Sequence, residues 1–94
     1  LVILVVVCAC QTPRPGMDYT LAQQAFQSAK EVDAARYAPG FYHKAEESYR
    51  RGVSLYSYQK YEEAIAQFKE ARLYAEKAEN AARLQRQKTG DEGL

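Results

Sequence analysis

The sequence predicts an all-α protein built as a three-helix antiparallel arrangement, with a long helix at its C-terminus. Small and apolar residues recur at steps of three and four along most of the chain, which is the spacing of one helical face. The Ala38-Pro39-Gly40 step interrupts this pattern because the residue before proline disfavours the helical conformation. Gly90 follows the last periodic segment, where it can stop a helix.

The chain opens with an uninterrupted apolar stretch, residues 1–10, and turns polar directly after it. A helix needs about 20 apolar residues to span a bilayer, so ten residues suit the apolar core of a secretory signal better. Residues 1–9 are therefore predicted to be a signal-peptide remnant. Since no Met or basic region precedes Leu1, the numbering is expected to begin inside a longer precursor. The alternative is a truncated transmembrane anchor.

The segment Val7-Cys8-Ala9-Cys10 resembles the lipobox of bacterial lipoproteins. Val7 supplies the branched apolar residue three positions before the cysteine, and Ala9 supplies the small residue just before it. Cys8 stands where Ala, Ser or Thr is more usual. The resemblance implies lipidation of Cys10 and attachment to a membrane through the lipid. Gln11 in place of the Asp that signals inner-membrane retention implies the outer membrane, with the domain facing the periplasm.

Residues 10–18 are predicted to form the lipidated cysteine and a flexible tether, because they contain two prolines and a glycine. The helical domain is predicted to occupy residues 19–88. Thr20 and Gln23 match a capping box and mark the start of the first helix. This helix is expected to continue to Tyr37. Its buried stripe is predicted to comprise Ala22, Ala25, Ala29, Val32 and Ala35.

The second helix is predicted over residues 39–57, with Pro39 in its first turn. One side of it carries a stripe of Tyr42, Ala45, Tyr49, Gly52 and Tyr56. A glycine inside a helix costs about 1 kcal/mol relative to alanine, so Gly52 indicates close approach of a neighbouring helix.

The third helix is predicted from about Gln59 to Lys88, with residues 89–94 as a disordered tail. Its stripe past Ala75 is almost pure alanine and buries little area per residue. That half of the helix is therefore expected to project, to fray or to pack on a partner. So thin a core also suggests help from a partner or a second copy.

The second and third helices resemble one tetratricopeptide helical hairpin. The residues that carry the resemblance are Gly52, Tyr61, Ala64, Phe68 and Ala71. It implies that these residues pack the two helices together. The chain departs from that family at the turn, where Gln59-Lys60 replaces the usual Gly-Asp, and it contains no clear second repeat.

The stretch from Ala22 to Ala82 also resembles an uncharacterised Ala-rich helical domain of small bacterial lipoproteins and cell-envelope proteins. The points of likeness include Ala25, Ala29 and the segment Tyr61-Glu62-Glu63-Ala64. That family has no established activity, so the resemblance implies a location in the envelope and supplies no activity for this chain.

Charge and residue pattern exclude several classes of function. Lys and Arg number 13 against 12 Asp and Glu, interspersed along the chain, which argues against nucleic-acid binding. His43 is the only histidine and no catalytic motif surrounds it. We therefore expect no enzyme, no metal, no cofactor and no small-molecule substrate.

The leading hypothesis is a lipid-anchored envelope protein whose helices bind an envelope protein partner or a second copy of the chain. Tyr42, Tyr49 and Tyr56 are candidate partner-binding residues for a peptide or a glycan, although aromatic stripes at helical spacing more often serve packing. The alternatives are a soluble tetratricopeptide-type adaptor and a periplasmic module that binds peptidoglycan.

Overall fold

A computed structural model describes residues 16–90, and within them the chain is entirely helical apart from short connections. The helices are α1 (Gly16–Glu31), α2 (Ala34–Tyr37), α3 (Pro39–Ser57) and α4 (Tyr61–Thr89). The predicted all-α class and the long C-terminal helix are confirmed. The predicted signal remnant, Cys10, most of the tether and residues 91–94 of the tail lie outside the described residues.

Helix α1 begins earlier than predicted, and the prediction that Thr20 caps its start is wrong. The Thr20 Oγ1 hydroxyl donates back to the carbonyl of Gly16 at 2.9 Å, within the helix, instead of capping a new one. Gln23 Nε2 donates to the Tyr19 hydroxyl at 2.9 Å. Asp18 in the first turn favours the helix electrostatically. Residues 16–18, which the sequence placed in the tether, therefore belong to α1.

The first predicted helix is broken in two at Asp33, so the described residues form four helices and not three. Asp33 adopts a left-handed conformation with φ of 58°, which aspartate tolerates better than most residues. The break turns the chain, and α2 then buries Ala34 completely. Ala35, predicted to belong to the buried stripe, is exposed for this reason.

The other helix boundaries follow the predicted ones closely. Helix α3 has the predicted bounds, with Pro39 in its first turn. Helix α4 ends at Thr89 and is capped by Gly90, whose φ of 76° is readily adopted by glycine. Residues 58–60 connect α3 to α4, and Gln59 in that connection has a left-handed φ of 61°.

The backbone at Gln59 leads to a stability prediction. A left-handed conformation costs a residue with a Cβ atom about 1 kcal/mol that glycine does not pay. Gln59→Gly should therefore raise the free energy of unfolding by up to about 1 kcal/mol, measured by urea denaturation. Gln59→Ala removes the same side chain but keeps the Cβ atom, so it should give no gain. Equal stabilities of the two variants would contradict the explanation.

Helix α4 is the element on which the other three helices pack. Its inward face carries five alanines, all with no exposed surface: Ala64, Ala71, Ala75, Ala78 and Ala82. The expectation that the alanine-rich half of α4 projects, frays or packs on a partner is wrong up to Ala82, because this face is buried within the domain. Ala78 and Ala82 are buried in one cluster with Ala29, Ala34 and Tyr42.

The core is made almost wholly of small side chains. Phe68 is the one large side chain among residues 16–90 that is fully buried, at 1 % exposure. It lies against Gly52, where an added Cβ atom would come within 2.7 Å of the ring. The predicted close approach at Gly52 is thus confirmed. Of the residues predicted to pack the hairpin, Tyr61 alone is exposed, at 40 %.

Candidate functional site

A groove of about 600 Å³ lies between α1 and α3, and we call it the α1–α3 groove. Both helices pack against α4, so their outward faces stand apart and leave a channel between them. The residues that line it are Thr20, Gln23, Gln24, Phe26, Gln27, Lys30, Tyr42, Glu46, Tyr49 and Arg50. This groove is larger than the depressions at the α1–α3–α4 end and beside α2, which measure about 320 and 350 Å³.

Aromatic rings bridge the two helices at the bottom of the groove. The Phe26 ring meets Tyr42 edge-to-face, with centroids 5.8 Å apart, and meets Tyr49 at 5.4 Å. Tyr49 in turn lies 5.8 Å from Tyr19 and 5.7 Å from Phe68. Because such ring pairs add about 0.5–1.5 kcal/mol each beyond area burial, they hold the groove at a set width. Tyr19 near the start of α1 opposes Tyr49, and Phe26 further along opposes Tyr42, so α1 and α3 run in opposite directions.

The α1 side of the groove is rich in side-chain amides. Gln23, Gln24 and Gln27 are exposed there, with Thr20 one turn before them and Lys30 one turn after. Their spacing of three and four places all five on one helical face. An amide offers two N–H donors and a carbonyl acceptor. This side can therefore hydrogen-bond to a peptide backbone or to sugar hydroxyls.

The α3 side combines phenol hydroxyls with two charges of opposite sign. Tyr42, Glu46, Tyr49 and Arg50 stand on this side. Glu46 Oε1 lies 3.0 Å from His43 Nδ1, one turn before it on the same helix and on the exposed surface. Arg50, exposed at the rim, is in none of the ion pairs formed within residues 16–90. Its guanidinium is thus available to an anionic group on a ligand.

Both groove tyrosines are held in the protonated form. Burial raises the pKa of Tyr42, and the negative charge of Glu46 adds to the rise. Burial also raises the pKa of Tyr49 to about 12, with a smaller contribution from the neighbouring Tyr19 hydroxyl. At neutral pH these phenols therefore donate and accept hydrogen bonds as neutral groups.

The raised pKa of Tyr49 predicts how stability depends on pH. Between the ordinary value of 10.0 and about 12, the unfolded chain loses a proton that the folded chain retains. The free energy of unfolding should therefore be unaffected by this residue below pH 10 and should fall as pH rises through that window. Tyr49→Phe should weaken this fall, as measured by urea midpoints across the window. Tyr58→Phe, at an exposed position, is the control; an equal effect of both changes would contradict the assignment.

The structure brings two of the three candidate tyrosines together. Tyr42 and Tyr49 line the groove, whereas Tyr56 lies outside it and contacts Tyr61 with ring centroids 5.4 Å apart. All three share one face of α3, but Tyr56 lies near the C-terminus of α3, level with the beginning of α1 at Gly16. Tyr56 instead lines a separate depression together with Gly16 and Tyr19 of α1.

The sequence did not reveal the α1 wall of the groove. Gln23, Gln24 and Gln27 have the pattern of an ordinary solvated face, which says nothing about a neighbouring helix. Phe26 is the signal that was present: it shares the apolar face of Ala22, Ala25 and Ala29 at helical spacing, but its ring is much larger than these alanines and reaches across to α3.

Two further properties concern the described residues alone. Residues 16–90 contain no group of three or more His, Cys, Asp or Glu side chains placed to hold a metal ion. None of the helices in that range is both long and apolar enough to cross a membrane.

Comparison with known proteins identifies the domain by its family. Neither a curated protein nor a solved structure matches the chain. The family described as a domain of unknown function, DUF4398, matches residues 18–93, a range that takes in α1 from its third residue and all of α2, α3 and α4. The resemblance to an uncharacterised helical domain is thereby confirmed, and the chain belongs to the DUF4398 family.

Proposed function

We propose that this chain is a lipid-anchored protein of the bacterial cell envelope whose helical domain binds a partner without catalysing a reaction. The α1–α3 groove is the observation that carries the binding role. Its aromatic floor supplies apolar contact area, and its amide and charged rims supply directional hydrogen bonds, a combination typical of ligand sites.

The proposed occupant of the groove is an extended segment of an envelope protein. A peptide backbone presents N–H and C=O groups at regular intervals, which the regularly spaced glutamines of α1 complement. The opposite charges of Lys30 and Arg50 against Glu46 favour a segment of mixed charge. A peptidoglycan strand is the second candidate, because aromatic rings beside amide side chains also suit sugars. A pull-down on purified cell-wall sacculi distinguishes the two candidates. If the sacculi retain the wild-type protein but not Gln27→Ala, the ligand of the groove is the glycan and not the peptide.

The proposed anchor is a lipid on Cys10, placed by the lipobox-like residues Val7 and Ala9. A thiolate can take a diacylglyceryl group as a thioether, and removal of residues 1–9 would free the Cys10 amine for a further acyl chain. Two or more chains give stable attachment, whereas one holds a protein only marginally. The outer membrane, with the domain in the periplasm, is the proposed location because Gln11 follows the cysteine.

The anchor proposal predicts the result of a labelling experiment. Cells that produce the full precursor are fed radiolabelled palmitate, and Cys10→Ala should abolish incorporation into the protein and release it from the membrane fraction. Cys8→Ala should retain full incorporation, because Cys8 leaves with the signal. Labelling that survives Cys10→Ala would exclude this site of lipidation.

We further propose that α3 and α4 form a tetratricopeptide-like hairpin within a three-helix antiparallel arrangement of α1, α3 and α4. The close approach of Phe68 to Gly52 supports it, as does the left-handed backbone at Gln59, the position where that family carries glycine. A soluble tetratricopeptide-type adaptor is the alternative for the whole chain, and the labelling experiment separates the two.

A further inference from the structure

One end of the domain is unusually apolar on its surface, and we call it the tyrosine end. Residues 16–90 expose eight large hydrophobic side chains, and five of them lie at this end, where α1 begins, α3 ends and α4 begins. They are Met17, Val53, Tyr56, Tyr58 and Tyr61, with exposures of 74 %, 43 %, 51 %, 75 % and 40 %. Clustering of this kind marks a contact surface, since exposed apolar residues are otherwise scattered singly.

Three members of the tyrosine end, Val53, Tyr56 and Tyr61, are linked by a ring contact or a shared depression. Tyr56 and Tyr61 meet with ring centroids 5.4 Å apart. An apolar depression of about 320 Å³ lies beside them and is lined by Gly16, Tyr19, Val53, Tyr56 and Phe68. The first described residue of the chain, Gly16, is thus part of this surface.

The charges around the tyrosine end argue against electrostatic recognition. Asp18 stands in the first turn of α1, and Glu62 and Glu63 stand in the first turn of α4. Among residues 16–90, Lys60 in the α3–α4 connection is the basic residue nearest to them in the sequence. A surface with more acids than bases does not attract anionic lipid. Tyrosine, with an apolar ring and a polar tip, instead suits the boundary between lipid headgroups and acyl chains.

The position of Gly16 relative to Cys10 limits what this end can reach. Gly16 lies six positions after Cys10, and six steps of fully extended chain span at most about 20 Å. Helix α1 then rises about 22 Å from Gly16 to Glu31. A lipid on Cys10 therefore holds the tyrosine end next to the membrane surface, while the far end of the bundle can stay clear of it.

We propose that the tyrosine end is a membrane-contact surface that rests in the headgroup region of the bilayer holding the Cys10 lipid. This inference rests on the proposed lipid anchor. The contact adds a second, non-covalent attachment to the anchor and orients the domain. It directs α1 away from the bilayer, so that the α1–α3 groove, which runs from Thr20 to Lys30, is presented to the periplasm.

The chain has no tryptophan, so a single introduced tryptophan can report the contact by fluorescence. Tyr58→Trp places the probe in the tyrosine end. Leu84→Trp is the matched control, since Leu84 is similarly exposed at 60 % but lies about 35 Å along α4 from Tyr61. The full-length lipidated proteins are reconstituted into phosphatidylcholine vesicles with brominated acyl chains, which quench tryptophan at the acyl boundary. Mass spectrometry verifies the acyl chains.

We expect the probe at position 58 to lose about half or more of its emission, whereas the probe at position 84 keeps nearly all of it.

Adding phosphatidylglycerol, an anionic lipid, should not increase the quenching. An increase would contradict the claim that the tyrosine end recognises the membrane without electrostatic attraction. An acylated, vesicle-bound protein with no quenching at position 58 would overturn the inference and leave the anchor intact. A second copy of the chain could cover the tyrosine end instead of the membrane. In that case, without lipid, the probe at position 58 would become less accessible to an aqueous quencher as the protein concentration rises, and this result would overturn the membrane contact. A protein without acyl chains would overturn the proposed anchor and this inference together.

Discussion

Phe68→Ala will remove a large part of the free energy of unfolding of this domain. Truncation of a fully buried phenylalanine costs about 3–5 kcal/mol, and a domain of this size has a total stability of roughly 4–11 kcal/mol. Phe68 is 1 % exposed and is surrounded by Tyr19, Tyr49 and Gly52. The rest of the fully buried core is alanine and serine, so filling the cavity requires the partly buried rings of Tyr19 and Tyr49 to leave their present contacts with each other and with Phe26. Urea denaturation followed by circular dichroism measures the loss.

Phe41→Ala is the matched control for this experiment. The ring of Phe41 is 38 % exposed and stacks on Tyr74 at 6.4 Å. Its removal exposes no cavity and should cost about 1 kcal/mol. Comparable losses for the two variants would mean that stability is not concentrated at Phe68.

Gly52→Ala will also destabilise the domain, although alanine is the better helix former. The new Cβ atom would lie 2.7 Å from Phe68 Cε1 and 2.8 Å from Phe68 Cδ1. The ring has little freedom to withdraw, because Tyr19 and Tyr49 pack on it at 5.5 Å and 5.7 Å. Overpacking of this kind costs about 1–3 kcal/mol, against a gain of about 1 kcal/mol in helix propensity. A net loss of up to about 2 kcal/mol is expected.

Gly40→Ala tests the same substitution in the same helix without the contact, since no atom lies within 4 Å of the added Cβ. It should leave the stability unchanged or slightly raised. In a Phe68→Leu background the cost of Gly52→Ala should shrink, because leucine is smaller than the ring. A Gly52→Ala protein as stable as the wild type would show that helices α3 and α4 have room to separate.

The sequence was sufficient to predict the parts of the fold that depend on local periodicity and on proline or glycine. The alanine and tyrosine stripes predicted α3 and the buried face of α4, and Pro39 and Gly90 predicted where two helices begin and end. Gly52 predicted a close helix approach, because a costly residue inside a helix indicates a packing requirement. All of these signals lie within a few helical turns.

The remaining features depend on choices that local patterns do not determine. Thr20 matches a cap in its sequence but bonds to Gly16 inside a longer helix, since the same hydroxyl can serve either purpose. Asp33 breaks a helix by adopting a left-handed conformation. No proline or glycine stands next to it in the sequence to predict this break. The α1–α3 groove arises because α1 and α3 both pack on α4, which makes an ordinary row of glutamines into the wall of a site.

The central claim, that the anchored domain holds its partner in the α1–α3 groove, is tested most directly by photo-cross-linking in cells. A photoreactive phenylalanine analogue replaces Gln27 at the groove rim, or Leu73 on exposed α4 surface as the control. The groove position should yield a discrete adduct that Arg50→Glu weakens, and the control position should yield none. Equal adducts from both positions, or an adduct from position 73 alone, would contradict the account.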